Sequence, residues 1–314
     1  MSHVQFGSTV CELQDKETVL DGLLRAGAIV PYACKAGSCG SCMMKVTQGN
    51  VPPGSQAGLK DSWKARGYFL PCVCVPDGDI EVAEAGADAR TGARISDIAA
   101  LSHNVLRVRL EAKGDFEFRA GQYLTLMRGS GVARSYSIAS LPEDGIIELH
   151  VRVIEGGVMS AWLSGVARRG DEVTIQGPSG DCFYVAGQPE QPLLLVGTGT
   201  GLAPLYGIAR DALKSGHRGT IHLFHGAMHH AGLYLVQELK ALADENANFV
   251  YTPTVLAEDG PVDAVVTARY PKLGGWRAFV CGDPVLVRSL KKKLFLGGMA
   301  MRDIYSDAFL PSAP

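Results

Sequence analysis

Five cysteines crowd into the first quarter of the chain, where together they could bind a metal or a redox centre. The chain has eight cysteines, and these five are Cys34, Cys39, Cys42, Cys72 and Cys74. Thiolates are ligands for soft metal ions and iron–sulfur clusters, whereas clustered cysteines in exported proteins more often form disulfides. The first residues show no charged segment followed by an apolar stretch, so we expect no secretory signal. The clustering therefore favours a metal or redox centre over a disulfide framework.

The spacing of these cysteines narrows the choice of centre. Four residues separate Cys34 from Cys39, two separate Cys39 from Cys42, and Cys72 follows 30 positions later. This C-x4-C-x2-C…C pattern is typical of plant-type [2Fe–2S] clusters, and the intervening glycines and serines allow a tight loop whose amides face the sulfurs. Zinc is the alternative, but structural zinc sites usually pair two C-x2-C hooks. Cys74 lies two residues beyond Cys72, so spacing alone does not decide which is the fourth ligand.

With its flanking residues, this segment resembles plant-type ferredoxins. The resemblance covers about residues 3–84 and includes a helix-like stretch at residues 18–27. It implies a β-grasp fold. The family pattern of an aromatic residue, Leu, one residue and Cys matches Tyr-Phe-Leu-Pro-Cys at residues 68–72, and Cys74 falls where the family commonly has Ala. The ligand set implied by the resemblance is Cys34, Cys39, Cys42 and Cys72.

The composition changes twice along the chain and divides it into three segments. Residues 83–93 have few large apolar side chains and are typical of a linker, and residues 188–192 form a second break. Between the breaks, short runs of alternating apolar and polar residues indicate an antiparallel sheet or barrel. After the second break, apolar strands alternate with helical patterns, which indicates a doubly wound parallel α/β sheet. We therefore predict three domains, at residues 1–86, 94–187 and 191–314.

Two short motifs in the middle segment could hold a nucleotide that carries a flat ring system. In the sequence Arg-Ser-Tyr-Ser at residues 134–137, strand alternation puts Arg134 and Tyr136 on one face. A guanidinium can pair with a pyrophosphate, a phenol can pack against a heterocycle, and the following serine can bond a ring nitrogen. Downstream, Gly156 and Gly157 precede a helical run and could form an anion pocket. Either motif alone is equally typical of an ordinary strand or turn.

Together and in this order, the two motifs resemble those of the ferredoxin–NADP reductase superfamily. The resemblance implies that Arg134 and the glycine turn, with Gly157 and Ser160, bind the diphosphate of FAD. It also implies that Tyr136 packs on the isoalloxazine ring. Ser137 is implied to contact flavin N5, which makes it a candidate catalytic residue.

The third segment carries a glycine-rich loop after an apolar strand and before a helix. Its glycines would let the backbone approach a pyrophosphate, and a proline fits the first turn of a helix. The loop differs from the G-x-G-x-x-G pattern of dinucleotide-binding folds. It resembles the GTG-x-A-P loop of the same reductase superfamily. The resemblance implies a nicotinamide site that includes Gly199, Thr200, Gly201 and Pro204.

Two later segments complete this candidate site. Cys281 and Gly282 end a predicted strand of the parallel sheet, where such sheets bind ligands. Their match to the family's CGxP sequence implies that the Cys281 sulfur shapes the hydride path near nicotinamide C4, and a buried core cysteine is the alternative. The ending Asp-Ala-Phe at residues 307–309 resembles that of oxygenase-linked reductases, which implies that Phe309 covers the flavin. A final strand anchored by Phe309 is equally consistent.

The choice of nicotinamide rests on the residues just after the predicted strand at residues 221–224. The 2′-phosphate of NADPH would need Arg or Lys there, and residues 226–231 contain neither. We therefore expect NADH, with NADPH left possible because His229 and His230 occupy this stretch.

Composition and charge limit the partners. The chain has 46% hydrophobic and 20% charged residues and a net charge of −2, so it offers no strongly basic surface for nucleic acid. Its apolar runs are far shorter than the ~18 residues that a membrane span needs. We expect neither nucleic acid nor a membrane as a partner.

The domain order resembles the reductase components of bacterial aromatic-ring dioxygenases, such as naphthalene and benzoate dioxygenase reductases. It implies a cytoplasmic oxidoreductase of aromatic hydrocarbon catabolism that passes electrons from NADH to FAD, to [2Fe–2S] and to a terminal oxygenase or its Rieske-type ferredoxin. One alternative keeps this path but serves a deoxysugar dehydratase or a diiron monooxygenase. Another is a non-catalytic iron–sulfur carrier or sensor. The partner could dock at Lys35, Met43, Met44 and Lys45, although solvated surface residues are the slightly favoured interpretation of these four.

Overall fold

A computed structural model describes residues 2–86, 89–129 and 131–310 of the chain. Within these ranges the strands form three separate sheets, which follow one another along the sequence. No helix in this described part combines the length and the apolar character that a membrane crossing requires.

The first sheet has five strands in the order β2-β1-β5-β3-β4, with β1 and β5 parallel and the other pairs antiparallel. Its elements are β1 (His3–Phe6), β2 (Thr9–Glu12), α1 (Val19–Arg25), β3 (Met44–Gln48), α2 (Asp61–Lys64), β4 (Tyr68–Phe69) and β5 (Ile80–Glu84). The hydroxyl of Thr18 caps α1 by accepting a hydrogen bond from the amide of Asp21. Leu20 and Leu23 on the inner face of α1 are fully buried. This arrangement confirms the predicted β-grasp fold.

The second sheet has six strands, all antiparallel, in the order β10-β7-β6-β11-β8-β9. Its elements are β6 (Arg90–Ser102), β7 (Val105–Ala112), β8 (Tyr123–Arg128), β9 (Val132–Ser137), β10 (Ile147–Arg152), α3 (Val158–Gly165) and β11 (Glu172–Ser179). A bridge between Ile138 and Leu149 joins the two edges of the sheet. The predicted antiparallel barrel is therefore confirmed, with fully buried Leu124 and Leu126 in its core.

Strand β6 begins inside the stretch that the sequence predicts as a linker. Ala93 is fully buried and pairs with Ala112 on β7 and Val173 on β11. A small side chain such as that of Ala93 is typical of a linker sequence. In the structure, residues of the neighbouring strands pack around it and bury it. The linker prediction is therefore wrong for residues 90–93, and also for residues 83–84, which belong to β5, while Ala87 and Asp88 lie outside the described residues.

The third sheet has five parallel strands in the order β14-β13-β12-β15-β16. Its elements are β12 (Leu193–Thr198), α4 (Leu202–Lys214), β13 (Ile221–Ala227), α5 (Val236–Glu245), β14 (Phe249–Val255), α6 (Leu256–Asp259), α7 (Val262–Arg269), β15 (Arg277–Gly282), α8 (Pro284–Leu296) and β16 (Ile304–Ala308). Strand order reverses at β12, and ligands bind such sheets at the carboxyl ends beside this reversal. The doubly wound fold is confirmed, and the loop after β12 lies at the reversal.

Helix α8 offers a matched pair of leucines that tests this packing. Leu290 is fully buried against the sheet, whereas Leu296 in the same helix is 72% exposed. Leu290→Ala is expected to lower the free energy of unfolding by about 2–5 kcal/mol, because it removes apolar contacts and leaves a cavity. Leu296→Ala should change it by less than about 0.5 kcal/mol. Urea unfolding followed by circular dichroism measures both values, and equal losses would contradict the packing of α8.

Candidate functional site

The four cysteines of the C-x4-C-x2-C…C pattern meet as two pairs in the first domain. Cys34 and Cys39 shift the pKa of one another in opposite directions, and so do Cys42 and Cys72, which indicates that the two thiols of each pair lie close together. The described residues contain no group of three or more His, Cys, Asp or Glu side chains placed to hold one metal ion. A two-iron cluster takes four thiolates, and two pairs supply two for each iron.

Donors surround the Cys34 sulfur. The amide of Ala36 donates to it at 3.3 Å and the Ser38 hydroxyl at 3.4 Å. The hydrogen bond with Cys39, with smaller contributions from Ser38 and Ala36, lowers the pKa of Cys34 to about 4. Such donors stabilise sulfur in the thiolate form, which is the form that ligates iron. The loop therefore fits a [2Fe–2S] cluster.

Cys74 lies apart from these pairs. It is fully buried in the core of the first domain, where burial raises the pKa of its thiol to about 11 and the Ser55 hydroxyl is its hydrogen-bond partner. Met43 and Met44 are also buried in this core. The expectation that these two methionines lie on the surface is therefore wrong, because the strand that follows the cysteine loop carries them inward.

One cavity of about 1160 Å³ joins all three domains. Such a volume exceeds an ordinary small-molecule pocket of ~300–1,000 Å³ and suits two nucleotides. Its lining includes, among the predicted site residues, Cys34, Cys39, Arg134, Tyr136, Ser137, Gly157, Ser160, Gly199, Thr200, Gly282 and Phe309. The other predicted site residues do not line it: Cys42, Cys72, Gly201, Pro204 and Cys281, which are buried, and Gly156, which is exposed.

Strand β9 carries the Arg-Ser-Tyr-Ser motif along one wall of the cavity. Tyr136 pairs with Leu124 and Arg134 with Leu126, so Arg134 and Tyr136 share one face of the strand. Burial raises the pKa of Tyr136, so its phenol stays protonated. Nη1 of Arg134 donates to the carbonyl of Tyr32 at 3.3 Å, and a guanidinium has five N–H donors in all.

The glycine turn before α3 forms the next part of the wall. A Cβ atom on Gly157 would lie 2.5 Å from the side chains of both Ile154 and Ser160, so only glycine fits. Gly156 has a φ of +70°, which favours glycine as well. The Ser160 hydroxyl donates to the carbonyl of Gly157 at 3.2 Å and accepts from the amide of Ile154 at 3.3 Å. The turn is thus closed by its own hydrogen bonds.

The loop after β12 approaches the end of β15 closely. A Cβ atom on Gly201 would lie 2.3 Å from the carbonyl oxygen of Cys281, so the two backbones can touch only with glycine. Pro204 is buried in the first turn of α4. Gly201 and Pro204 therefore shape the loop, while Gly199 and Thr200 face the cavity.

Cys281 is buried behind the cavity wall. Its Sγ atom lies 3.5 Å from that of Cys182, and burial raises the pKa of its thiol well above the usual range. The next residue, Gly282, reaches the cavity. A Cβ atom there would lie 2.8 Å from the carbonyl oxygen of Thr198.

Sequence reasoning assigned no role to Asp307, although this residue lies at the centre of the site. The Ser137 hydroxyl donates to Oδ2 of Asp307 at 3.1 Å, and burial raises the pKa of that carboxyl to about 6. Asp307 lies beside Cys281 in the sheet, and the amide of Phe309 donates to the carbonyl of Gly282 at 2.8 Å. The sequence signal that could have identified Asp307 is its position two residues before Phe309, the last aromatic residue.

Three family models match the chain in the order of its three sheets. The 2Fe-2S iron-sulfur cluster binding domain matches residues 4–77, the oxidoreductase FAD-binding domain residues 92–184, and the oxidoreductase NAD-binding domain residues 195–292. The cavity-lining residues of the cysteine loop and of both nucleotide loops fall within these matches, whereas Asp307 and Phe309 lie beyond the third one.

Two relatives and two solved structures resemble the chain along most of its length. The phenol hydroxylase P5 protein of Acinetobacter pittii (strain PHEA-2) is 32% identical, over 97% of this chain and 93% of its own. The ferredoxin–NAD(P)(+) reductase component of the naphthalene 1,2-dioxygenase system of Pseudomonas putida is 33% identical, over 93% of both. A cytochrome P450 reductase of Amycolatopsis has a TM-score of 0.70 and 32% identity over 99% of both chains. The ferredoxin reductase in carbazole 1,9a-dioxygenase, at 24% identity over 98% of both chains and a TM-score of 0.66, shares the fold.

The chain shares its domain order and nearly its full length with these relatives. The cysteine loop, through Cys34 and Cys39, and both nucleotide loops meet at one cavity. The chain therefore belongs to the family of ferredoxin–NAD(P) reductases that serve as reductase components of oxygenase systems, oxidoreductases with [2Fe–2S], FAD and NAD domains.

Proposed function

We propose that this reductase takes electrons from NADH and delivers them one at a time to a terminal oxygenase or to its Rieske-type ferredoxin. The single observation that carries the proposal is the cavity, because it is lined by the cysteine loop and by both nucleotide loops. When bound, FAD accepts the two electrons of a hydride and the [2Fe–2S] cluster passes on one electron at a time. The names of the relatives, which refer to naphthalene dioxygenase and phenol hydroxylase systems, support an oxygenase partner.

Each group has a proposed set of residues. We assign the cluster to the two cysteine pairs, the FAD diphosphate to Arg134 and the Gly156–Gly157 turn with Ser160, and the flavin ring to Tyr136 and Ser137. The nicotinamide nucleotide is assigned to the remaining predicted residues: Gly199, Thr200, Gly201, Pro204, Cys281 and Gly282, with Phe309 over the flavin. The proposed domains are residues 1–86, 94–187 and 191–314, with the start of the barrel domain moved back to Arg90, where β6 begins.

Ser137 and Asp307 control a proton beside the proposed flavin ring. While Asp307 is ionised, it accepts the proton of the Ser137 hydroxyl in a hydrogen bond. When Asp307 is protonated, its neutral carboxyl is a weaker hydrogen-bond acceptor. The Ser137 hydroxyl is then free to donate into the cavity that Ser137 lines. The charge of Asp307 therefore determines whether the Ser137 hydroxyl can donate a hydrogen bond into the cavity.

The end of the cavity near β13 favours NADH. Met228 and His229 line it, and Nε2 of the neighbouring His230 lies 2.8 Å from Oε1 of Glu258. The Glu258 carboxylate would repel a 2′-phosphate bound near this end of the cavity, whereas the uncharged 2′-hydroxyl of NADH would not be repelled. We also place the protein in the cytoplasm, because its thiol ligands need a reducing compartment.

Cys72 and Cys74 give a matched test of the electron path. Under anaerobic conditions NADH should bleach the flavin in Cys72→Ser and in Cys74→Ala, because both sites are remote from the nucleotide loops. In Cys74→Ala, the cluster should then lose its absorbance as it is reduced, and an added oxidised Rieske ferredoxin should be reduced in turn. Neither change should occur in Cys72→Ser, because this substitution removes a cluster ligand. The measurement is stopped-flow absorbance with NADH, repeated with NADPH, which should react more slowly.

Wild-type protein with FAD, iron and sulfide bound must show flavin bleaching, then cluster bleaching. If NADH bleached nothing in that protein, the chain would be an iron–sulfur carrier or sensor and the proposal would fail.

The Ser137–Asp307 pair predicts how the reaction depends on pH. Because the pKa of Asp307 is about 6, flavin reduction by NADH should become faster as the pH falls through about 6 and the Ser137 hydroxyl is released. Asp307→Asn should remove this step. Ser137→Ala has no hydroxyl to release, so it should also remove the step, and its rate should be lower than that of the wild type.

Stopped-flow rates between pH 5 and 8, that is, about one to two units on either side of the Asp307 pKa, measure both effects. Ser164→Ala, which removes an exposed hydroxyl on α3, serves as the control. A pH profile identical in Asp307→Asn and wild type would refute the role of the pair.

A further inference from the structure

Three neighbouring strands of the barrel carry a row of polar side chains on one face. Gln176 on β11 lies opposite Thr125 on β8, and Thr125 lies opposite Ser135 on β9. Leu124 and Leu126, on either side of Thr125, point into the barrel core, so the row faces away from that core. The row therefore belongs to the outer surface of the barrel.

This row binds the backbone of the cysteine loop. Nε2 of Gln176 donates to the carbonyl of Gly40 at 2.8 Å. The carbonyl of Cys39 accepts two hydrogen bonds, from Oγ1 of Thr125 at 3.2 Å and from Oγ of Ser135 at 3.1 Å. Because Cys39 is itself a proposed ligand, the barrel holds the cluster loop at the ligand residue.

A further donor extends the row along β8. Tyr123 lies two residues before Thr125 on the same face, and its Oη atom donates to the carbonyl of Ser38 at 2.6 Å. Burial raises the pKa of Tyr123, so its phenol remains a donor. Three successive carbonyls of the cluster loop, those of residues 38–40, are thus each bound by the barrel.

The middle of the contact is largely shielded from water. Thr125 is 2% exposed and Gln176 is 4% exposed, although both lie on the outer face of the barrel and a second cavity of about 480 Å³ borders them. The ferredoxin domain supplies much of this cover. Hydrogen bonds made by such buried groups are stronger than in water, and leaving these groups unpaired is costly. The interface therefore favours one fixed position of the domain over a range of loosely docked positions.

We propose that Gln176, Thr125, Ser135 and Tyr123 are positioning residues that fix the cluster loop at the flavin cavity and thereby set the rate of electron transfer from flavin to cluster. The inference rests on the proposed function. Each transfer would take one electron from the reduced flavin and add it to the oxidised cluster, and the oxygenase or Rieske-type ferredoxin would reoxidise the cluster before the second transfer. Two transfers would account for the two electrons of one hydride from NADH, and the proton of that hydride would pass from the flavin to water.

The position of Ser135 explains why this row matters for the reaction. Ser135 lies between Arg134 and Tyr136, and it lines the cavity together with them and with Cys39. The strand that carries the flavin motif on one face therefore contacts the cluster loop through the other face. A change in docking moves the cluster relative to the flavin without changing the nicotinamide site.

Thr125 and Gln176 are the residues to vary, because neither lines the cavity where NADH reacts. Thr125→Val removes the hydroxyl at nearly constant shape, and Gln176→Glu replaces the donor with a carboxylate that repels the carbonyl of Gly40. Thr125→Ser keeps the hydroxyl. The control is Thr174→Val on β11, where the residue is half-buried and has no hydrogen bond to the cluster loop within the described chain.

Stopped-flow absorbance separates flavin reduction by NADH from cluster reduction by flavin. In Thr125→Val and Gln176→Glu the first rate should stay unchanged. The second should fall about tenfold or more, because loss of a buried hydrogen bond lets the cluster loop move away from the flavin and electron transfer slows steeply with distance. Thr125→Ser and Thr174→Val should keep both rates near wild type. The circular dichroism of the cluster should be the same in all four variants, which shows that the ferredoxin fold is intact.

The inference is overturned if both variants reduce the cluster at the wild-type rate, or if Thr125→Ser is as slow as Thr125→Val. Failure of the wild type to reduce its flavin with NADH would instead refute the proposed function. If the variants lose their cluster, the inference is tested on the wild-type protein by measuring the flavin-to-cluster rate at increasing solvent viscosity. A docked ferredoxin domain predicts a rate that does not change with viscosity. A rate that falls in proportion to viscosity would overturn the inference.

Discussion

The cluster loop has to be held beside the flavin cavity with its backbone carbonyls paired, including those that the barrel covers. Buried carbonyls without donors are costly, and a loop rich in glycine and serine has no secondary structure of its own to satisfy them. The barrel meets this requirement with hydroxyl and amide donors on adjacent strands, which bind the carbonyls of residues 38–40. The placement of the cysteine pairs relative to both nucleotide loops depends on these hydrogen bonds.

At the other end of the cavity, close backbone approach has the same positioning effect. Gly201 and Gly282 let the loop after β12 and the end of β15 touch, so that the nicotinamide site forms where the strand order of the sheet reverses. Strand β16 then places Asp307 beside Ser137 of the barrel. The FAD and NAD domains therefore meet through a carboxylate–hydroxyl contact next to the proposed flavin ring.

Spacing within short segments made much of this site predictable. The C-x4-C-x2-C…C pattern and the alternation of Arg134 and Tyr136 depend on local geometry, which sequence separation encodes directly. The three sheets were likewise predictable, because strand and helix periodicities differ. Contacts between distant segments were not predictable. The hydrogen bond between Ser137 and Asp307 and the contact between Cys182 and Cys281 depend on how domains pack, and the docking row has no local signature. Met43 and Met44 were predicted to lie on the surface because they follow a ligand cysteine in the sequence. That proximity does not reveal which way their side chains point.

The central claim is that electrons from NADH reach the cluster through one cavity within one chain. The most direct measurement is the rate constant of cluster reduction, followed by stopped-flow absorbance with excess NADH over a wide range of protein concentrations. A shared cavity predicts a rate constant that does not change with protein concentration. A rate constant that rises in proportion to protein concentration would show that electrons pass between molecules, and it would contradict the account.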